Sequence, residues 1–199
     1  MRPRIIALSS VAVVFAAACD DRKTDPPVVA GRVNAAHVTP QQGATTEAFC
    51  DGYFTAEKAP PYAWPALADG GTPPPSGTSW RWINLWATWC KPCIEEMPRL
   101  VRWRDKLAAA GHKVELTFIS VDESAADVEA FRKQHPELPA SLRIPDPDQL
   151  QPWFTSVGLD GAPPIPIHVY VDGSGRTRCA RAGSVREQDY AIVEKLLGP

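Results

Sequence analysis

The stretch that most constrains the fold runs from Ile83 to Pro98 and reads INLWATWCKPCIEEMP. Its first half is apolar and aromatic, which is typical of a buried β-strand, and its charged second half is typical of a helix. Cys90 and Cys93 therefore lie at a strand-to-helix turn. Unpaired backbone N–H groups and the positive end of the helix dipole stabilise a thiolate at such a position. The pattern predicts thiol–disulfide exchange.

Strands and helices are predicted on both sides of this stretch. The predicted strands span 80–86, 114–121, 167–171 and 176–182, and the predicted helices span 94–110, 124–135, a short segment through 153–154, and 187–197. Prolines between residues 60 and 75 confine any strand there to a sheet edge, and a short hairpin over 62–67 fits them. This order predicts an α/β fold with a mixed central β-sheet flanked by helices and an N-terminal extension. The loop from Trp89 to Cys93 would lie at the carboxyl ends of the parallel strands, where ligands bind in such folds.

The first residues have the pattern of an export signal. Arg2 and Arg4 precede the apolar run 5–18, which is too short to span a bilayer and ends in small residues. Residues 1–18 are therefore predicted to be a signal peptide. Residues 19–46 lack a sustained apolar period and are predicted to be a flexible tether, and residues 47–199 are predicted to form the folded domain. The formal net charge is −2 and no basic patch is visible, which argues against nucleic acid as a partner.

Cys19 follows the small residues directly, and this arrangement resembles a bacterial lipoprotein signal in which a lipid is attached to that cysteine. Ala16 departs from the pattern, which favours Leu at that position. Asp20 resembles a signal for retention in the inner membrane. An ordinary signal peptide with a free Cys19 is the alternative.

The remaining cysteines divide into a close pair and a distant pair. Four cysteines are too few for a disulfide scaffold, and a core of this size does not need one, so a chemical role is favoured for the close pair Cys90 and Cys93. Cys50 and Cys179 give a hypothesis of a structural disulfide, because an exported protein can keep one and the number is even. A second redox role for them is the alternative. A C-x-x-C pair also suits zinc, but no second such pair and no His pair at ligand spacing exists, so no metal is predicted.

The sequence resembles the thioredoxin fold, and more closely the membrane-tethered periplasmic reductases of the TlpA and ResA type. The resemblance spans residues 59–197 and is carried by Asn84-Leu85-Trp86-Ala87-Thr88-Trp89-Cys90-Lys91-Pro92-Cys93, by Glu96-Met97-Pro98, and by Ile165-Pro166 before Asp172-Gly173. It implies that Cys90 attacks a substrate disulfide and that Cys93 resolves the mixed disulfide. It also implies substrate contacts with Trp89, Ile165 and Pro166, with Pro166 as a cis-proline beside the active site.

Five further residues are interpreted through the same resemblance. Glu96 shares a helix face with Cys93, and in the ResA-like group a glutamate there tunes the cysteine pair and exchanges protons with it. A solvated helix charge is the alternative for Glu96. Asn84 stands where thioredoxins proper carry a buried aspartate, so that proton route is absent. Lys91-Pro92 lacks the histidine of strongly oxidising pairs, which favours a reducing or intermediate potential. His168 is interpreted as a strand residue, not as a ligand.

The predicted function is a thiol–disulfide oxidoreductase that reduces disulfides and needs no cofactor beyond its cysteine pair. The implied partners are exported disulfide-containing proteins, with apocytochrome c as one candidate, and a membrane electron donor. The implied location is the periplasmic face of the inner membrane, held by a lipid anchor. A redox-inert binding or chaperone module is one alternative. A thioredoxin-fold peroxidase is a poorer one, because Ile83 and Ala87 stand where its site needs Pro and Thr.

Overall fold

The computed structural model describes residues 45–68, 70–75 and 77–198. The predicted signal peptide, the lipid attachment at Cys19 and nearly all of the predicted tether lie outside these residues. Within the described ranges, no helix combines the length and the hydrophobicity needed to cross a membrane.

Eleven helices and strands follow one another along the described chain. In chain order they are α1 (Thr46–Phe49), β1 (Gly52–Tyr53), β2 (Trp80–Trp86), α2 (Lys91–Ala109), β3 (Val114–Ser120), α3 (Ala125–Gln134), β4 (Ser141–Arg143), α4 (Gln151–Ser156), β5 (Ile167–Val171), β6 (Thr177–Ala182) and α5 (Tyr190–Leu197). Short 3₁₀ helices at Pro147–Leu150 and Glu187–Asp189 lead into α4 and α5.

The six strands form one mixed sheet in the order β1-β6-β5-β2-β3-β4. β3 runs parallel to β2 and to β4, because helical crossovers join them. β5 runs antiparallel to β2 and to β6, and β1 is antiparallel to β6 at the edge. This arrangement, with helices on the sheet, confirms the predicted fold class.

β2 lies inside the sheet and carries the reactive loop at its carboxyl end. Residues 81–86 are all buried, which explains why this strand reads as a nearly continuous apolar run instead of an alternating one. Asn84 is the polar exception near its centre, and it stands opposite His168 on β5. α2 begins five residues after the end of β2, at Lys91, and so holds its first turn against the edge of the sheet.

α2 packs through one apolar face. Its buried residues are Cys93, Glu96, Met97, Leu100, Trp103 and Leu107, which recur at helical spacing. Glu96 is the one charged residue in this set. The presence of a carboxyl group on the buried face of α2 is therefore the main departure from a simple amphipathic helix.

The expected hairpin over residues 62–67 is wrong. These residues form no strand. An isolated bridge joins Pro61, just before them, to Arg176, and the guanidinium of Arg81 on β2 lies over the rings of Tyr62 and Trp64. The N–H of Tyr62 donates to the Gly175 carbonyl at 2.9 Å, but the prolines nearby lack the N–H groups that a ladder needs. The segment is therefore an irregular loop that begins beside the β5–β6 turn.

The edge strand β4 was not predicted. It has only three residues, and its pairing with β3 brings Leu142 opposite Ile119. A segment this short, close to Pro139 and Pro145, carries too little periodicity to be recognised as a strand. By contrast, the N-cap of α3 is as predicted, with the Asp127 N–H donating to the Ser124 hydroxyl at 3.3 Å.

Candidate active site

The cysteine pair lies in the short turn that joins β2 to α2. Cys90 is the N-cap of α2, and its Sγ accepts a hydrogen bond from the Cys93 N–H at 3.3 Å. Pro92 lies in the first turn, where a missing N–H costs no helical hydrogen bond. A disulfide joins the two cysteines, whose Cα atoms are 5.3 Å apart. The amino end of α2 is thus directed at the Cys90 sulfur, and it favours the thiolate when the pair is reduced.

A buried carboxylate fixes the turn that leads into Cys90. Asp122 follows β3, and it accepts hydrogen bonds from the Thr88 N–H at 3.0 Å, from the Thr88 hydroxyl at 2.7 Å and from the Ser120 hydroxyl at 2.7 Å. These bonds replace water around a side chain that is only 3% exposed. Sequence reasoning did not identify Asp122. The sequence feature that could have identified Asp122 is its position: an acidic residue just after a buried strand whose carboxyl end lies on the same side of the sheet as Cys90.

An open groove of about 850 Å³ runs beside Cys90. Trp89 and Ile165 form part of its apolar wall, and Trp89 is 70% exposed, unlike every other large hydrophobic side chain in the described ranges. The peptide bond between Ile165 and Pro166 is cis, and Pro166 is buried below the groove. The backbone groups of Ile165 make no hydrogen bond to any described residue. They are therefore available to an extended chain bound next to Cys90.

The Glu96 carboxylate lies inside the protein. It is 1% exposed, and its Oε2 accepts a hydrogen bond from the Val185 N–H at 3.0 Å. Its Oε1 accepts one from Asn84 Nδ2 at 3.2 Å and lies 3.2 Å from His168 Nε2. One backbone N–H, one side-chain amide and one imidazole therefore surround the Glu96 carboxylate. A carboxyl group buried away from water requires polar neighbours of this kind.

Glu95 and Glu96 are neighbours in sequence but occupy different environments. Glu95 is an exposed helix residue whose Oε1 lies 3.6 Å from the Lys91 ammonium. Glu96 is on the same buried face of α2 as Cys93, one turn further along. The alternative of a solvated helix charge therefore describes Glu95 and not Glu96.

Aromatic rings enclose the far side of the carboxylate. His168 lies on β5, where a strand residue was expected, and its Nδ1 accepts a hydrogen bond from Trp82 Nε1 at 3.1 Å. Tyr170 stacks on Trp82 with ring centroids 5.3 Å apart. Burial raises the pKa of Tyr170 well above its ordinary value, and the nearby charge of Glu96 raises it further. The part that His168 plays in this cluster is not visible from sequence.

Cys50 and Cys179 lie toward the β1 edge of the sheet. Cys50 and Cys179 are joined by a disulfide with a Cα–Cα distance of 5.5 Å, and Cys179 pairs in register with Tyr53 of β1. Neither cysteine lines the groove beside Cys90. Among the described residues, no group of three or more His, Cys, Asp or Glu side chains is placed to hold a metal ion.

A sheet of this order, with a C-x-x-C pair at the start of the helix after its central strand, is the thioredoxin fold. A secreted thiol-disulfide isomerase from Corynebacterium glutamicum has a similar structure, with a TM-score of 0.53 and 23% sequence identity over 74% of this chain and 91% of that one. At that identity the likeness establishes the fold alone.

Curated proteins resemble this chain over part of its length. The thiol-disulfide oxidoreductase ResA of Bacillus cereus is 28% identical over 116 residues, which are 58% of this chain and 53% of the relative. The thioredoxin-like protein YneN of Bacillus subtilis is 41% identical over 49 residues, which are 25% of this chain and 29% of that protein. The chain thus spans about half or less of the length of these curated relatives. No family model matches it. Its resemblance to thioredoxin-fold oxidoreductases of the ResA type is confirmed.

Proposed function

We propose that this protein reduces disulfide bonds in other proteins through Cys90 and Cys93. The observation that carries the proposal is the placement of the pair: Cys90, although only 3% exposed, lines the groove at the amino end of α2, whereas Cys93 is 0% exposed and does not line it. One sulfur is thus accessible to a substrate and the other only to Cys90. This asymmetry is what a two-step exchange through a mixed disulfide needs.

In the first step the Cys90 thiolate attacks one sulfur of a substrate disulfide. A Cys90–substrate disulfide forms, the substrate S–S bond breaks, and the second substrate sulfur leaves as a thiolate that takes a proton from water. Trp89 and the free backbone of Ile165 beside the cis-bonded Pro166 hold the substrate segment in the groove. The amino end of α2 lowers the free energy of the attacking thiolate.

In the second step Cys93 gives up its thiol proton and attacks the Cys90 sulfur. The Cys90–Cys93 disulfide forms, the Cys90–substrate bond breaks, and the remaining substrate sulfur leaves as a thiolate that takes a proton from water. The substrate gains two electrons and the cysteine pair loses two. Glu96, the ionisable side chain on the buried face that it shares with Cys93, receives the Cys93 proton. No cofactor takes part.

We assign the partners by chemistry and by resemblance. The substrates are exported disulfide-containing proteins, among which apocytochrome c is a candidate, and a membrane-bound dithiol protein returns the pair to its reduced form. An extracytoplasmic location is supported by the export pattern of residues 1–18. A lipid on Cys19 would anchor the protein to the membrane, and mass spectrometry of the mature N-terminus tests this directly.

An insulin-reduction assay tests the proposed activity. Wild type should precipitate reduced insulin B chain in the presence of a dithiol, and Cys90→Ser should abolish this catalysis because no mixed disulfide can form. A variant with serine at both 50 and 179 controls for the second disulfide and should remain active. Equal activity of wild type and Cys90→Ser would instead indicate a redox-inert binding module.

A further inference from the structure

A buried imidazole lies beside Glu96 and takes no part in the proposed reaction. His168 is 0% exposed, and its Nε2 lies 3.2 Å from Glu96 Oε1. The Nε2–H direction departs from that oxygen, so Nε2 has no hydrogen-bond partner among the described residues. A buried donor without a partner is unfavourable and calls for a functional or structural reason. The groups around this ring supply such a reason.

Two donors face the other nitrogen of the ring. Trp82 Nε1 lies 3.1 Å from His168 Nδ1 and can only donate, and Asn84 Nδ2 lies 3.4 Å from the same atom. The reverse orientation of the Asn84 amide would place its carbonyl oxygen against Glu96 Oε1, where two acceptors would oppose each other. Nδ1 is therefore an acceptor, and the proton of the neutral ring is on Nε2, which faces Glu96.

The ring is held in this orientation by its neighbours. Trp82 packs between Trp103 and Tyr170, with ring centroids 6.3 Å and 5.3 Å away. The β2–β5 register keeps Asn84 opposite His168. A flip of the imidazole would point Nδ1 away from both donors and leave them unpaired in the core. The surroundings thus favour one tautomer and one ring orientation.

We infer that His168 is a positioning residue for Glu96, with its tautomer fixed by Trp82. Its Nε2–H group lies 3.2 Å from Oε1 without the alignment of a hydrogen bond, and it attracts that oxygen electrostatically toward the Asn84 side. Oε2, which already accepts a hydrogen bond from the Val185 N–H, then receives the proton of Cys93 with its second lone pair. The inference rests on the proposed function, because it assigns His168 to the second step of that reaction. It predicts that His168 affects attack by Cys93 and does not affect attack by Cys90.

A small aromatic disulfide separates these two steps. Reduced protein, with Cys19→Ser in every variant, releases one coloured thiolate when Cys90 attacks the probe and a second when Cys93 resolves the mixed disulfide. The Cys93→Ser variant identifies the second release, because it lacks that phase. His168→Leu removes the donor, and His168→Gln keeps an amide donor for Glu96 and an acceptor for Trp82. Val169→Ala alters the neighbouring buried residue of β5, on the other face of the strand, and serves as the control for a general loss of packing.

We expect His168→Leu to slow the second release by about tenfold and to leave the first unchanged, since a misplaced proton acceptor affects only the step in which a proton is transferred. His168→Gln should restore most of the rate, and Val169→Ala should change neither phase. A second release at the wild-type rate in His168→Leu would overturn the inference. So would a second release that is as slow in His168→Gln as in His168→Leu. Absence of a second release in the wild type would instead overturn the proposed function.

A measurement on the wild type does not depend on the variants being folded. Nitrogen NMR of protein with ¹⁵N-labelled histidine should place the ring proton of His168 on Nε2 and a lone pair on Nδ1. A proton on Nδ1 would overturn the inference, because Trp82 could not then donate to that atom.

Discussion

At the scale of single residues, one position along α2 separates a surface charge from a buried reactive group. Glu95 points to solvent beside Lys91, and Glu96 points inward to Asn84 and the Val185 N–H. Hydrogen-bond donors face both carboxylate oxygens of Glu96. The side-chain amide that Glu96→Gln introduces would therefore place its own NH₂ donor against one of these donors. The same substitution at the two adjacent positions should therefore have very different effects.

Glu96→Gln should lower the free energy of unfolding by about 1–3 kcal/mol, the cost of a buried polar group left without a proper partner. It should also slow resolution of the mixed disulfide, since an amide cannot accept the Cys93 proton. Urea unfolding and the two-phase thiolate release measure the two effects. Glu95→Gln is the matched control, and it should change the free energy of unfolding by no more than about 0.5 kcal/mol because it removes only an exposed ion pair. Equal effects of the two substitutions would contradict this account of the site.

At the scale of elements, β1 is a strand of two residues that would hold poorly by its own hydrogen bonds. It pairs with β6 through Gly52 and Tyr53, and the Cys50–Cys179 disulfide joins the chain just before it to β6. The linked cysteines are 129 positions apart in sequence, so the disulfide closes a long loop in the unfolded chain. It stabilises the fold at the edge of the sheet, away from the groove.

Replacing Cys50 and Cys179 together by serine should lower the free energy of unfolding by about 2–4 kcal/mol, because the unfolded chain regains the entropy that the loop restricts. Insulin reduction by the folded variant should persist. Urea unfolding of the oxidised proteins gives the first value, with Cys19→Ser as a control that should not change it. Loss of insulin reduction in a variant that is still folded would point to the second redox role.

The elements also mark what the sequence could predict and what it could not. The strand-to-helix turn at Cys90 was predictable, because apolar runs, helical spacing and a C-x-x-C motif are local signals. The position of Glu96 could be predicted for the same reason, since it lies one helical turn from Cys93. The contacts of His168 and Asp122 could not be predicted from sequence, because they depend on how β5 and β3 are placed beside β2. His168 is 84 positions from Asn84 in sequence, and only the register of the sheet brings them together.

At the scale of the whole molecule, the buried face of β5 makes stability sensitive to alkaline pH. The pKa of Tyr170 is raised well above its ordinary value, first by burial and then by Glu96. In the unfolded chain this phenol loses its proton above about pH 10. The unfolded state then binds fewer protons than the folded state, so the free energy of unfolding falls as the pH rises further. Below that pH the contribution is fully present.

Tyr170→Phe should therefore make the free energy of unfolding less dependent on pH above about 10, where an unfolded tyrosine ionises. Its cost at neutral pH should be small, since the Tyr170 hydroxyl has no hydrogen-bond partner in the described ranges. Urea unfolding at neutral and alkaline pH compares it with the wild type, and Tyr53→Phe, a partly exposed residue at the edge, is the control. The same alkaline slope in wild type and Tyr170→Phe would contradict this assignment.

The reaction as a whole depends on the direction in which the Cys90–Cys93 pair transfers electrons. Lys91-Pro92 lies between the cysteines, and no histidine stabilises the reduced pair there as it does in strongly oxidising proteins. This feature favours a reductase.

The reduction potential of the Cys90–Cys93 pair tests this claim most directly. Equilibration of the protein with defined dithiol and disulfide buffers, followed by alkylation of the free thiols, gives the value, with the double serine variant at 50 and 179 to isolate the pair. We expect a potential closer to that of thioredoxin, about −270 mV, than to that of DsbA, about −120 mV. A value near that of DsbA would contradict the reductase assignment and make the protein an oxidant of its substrates.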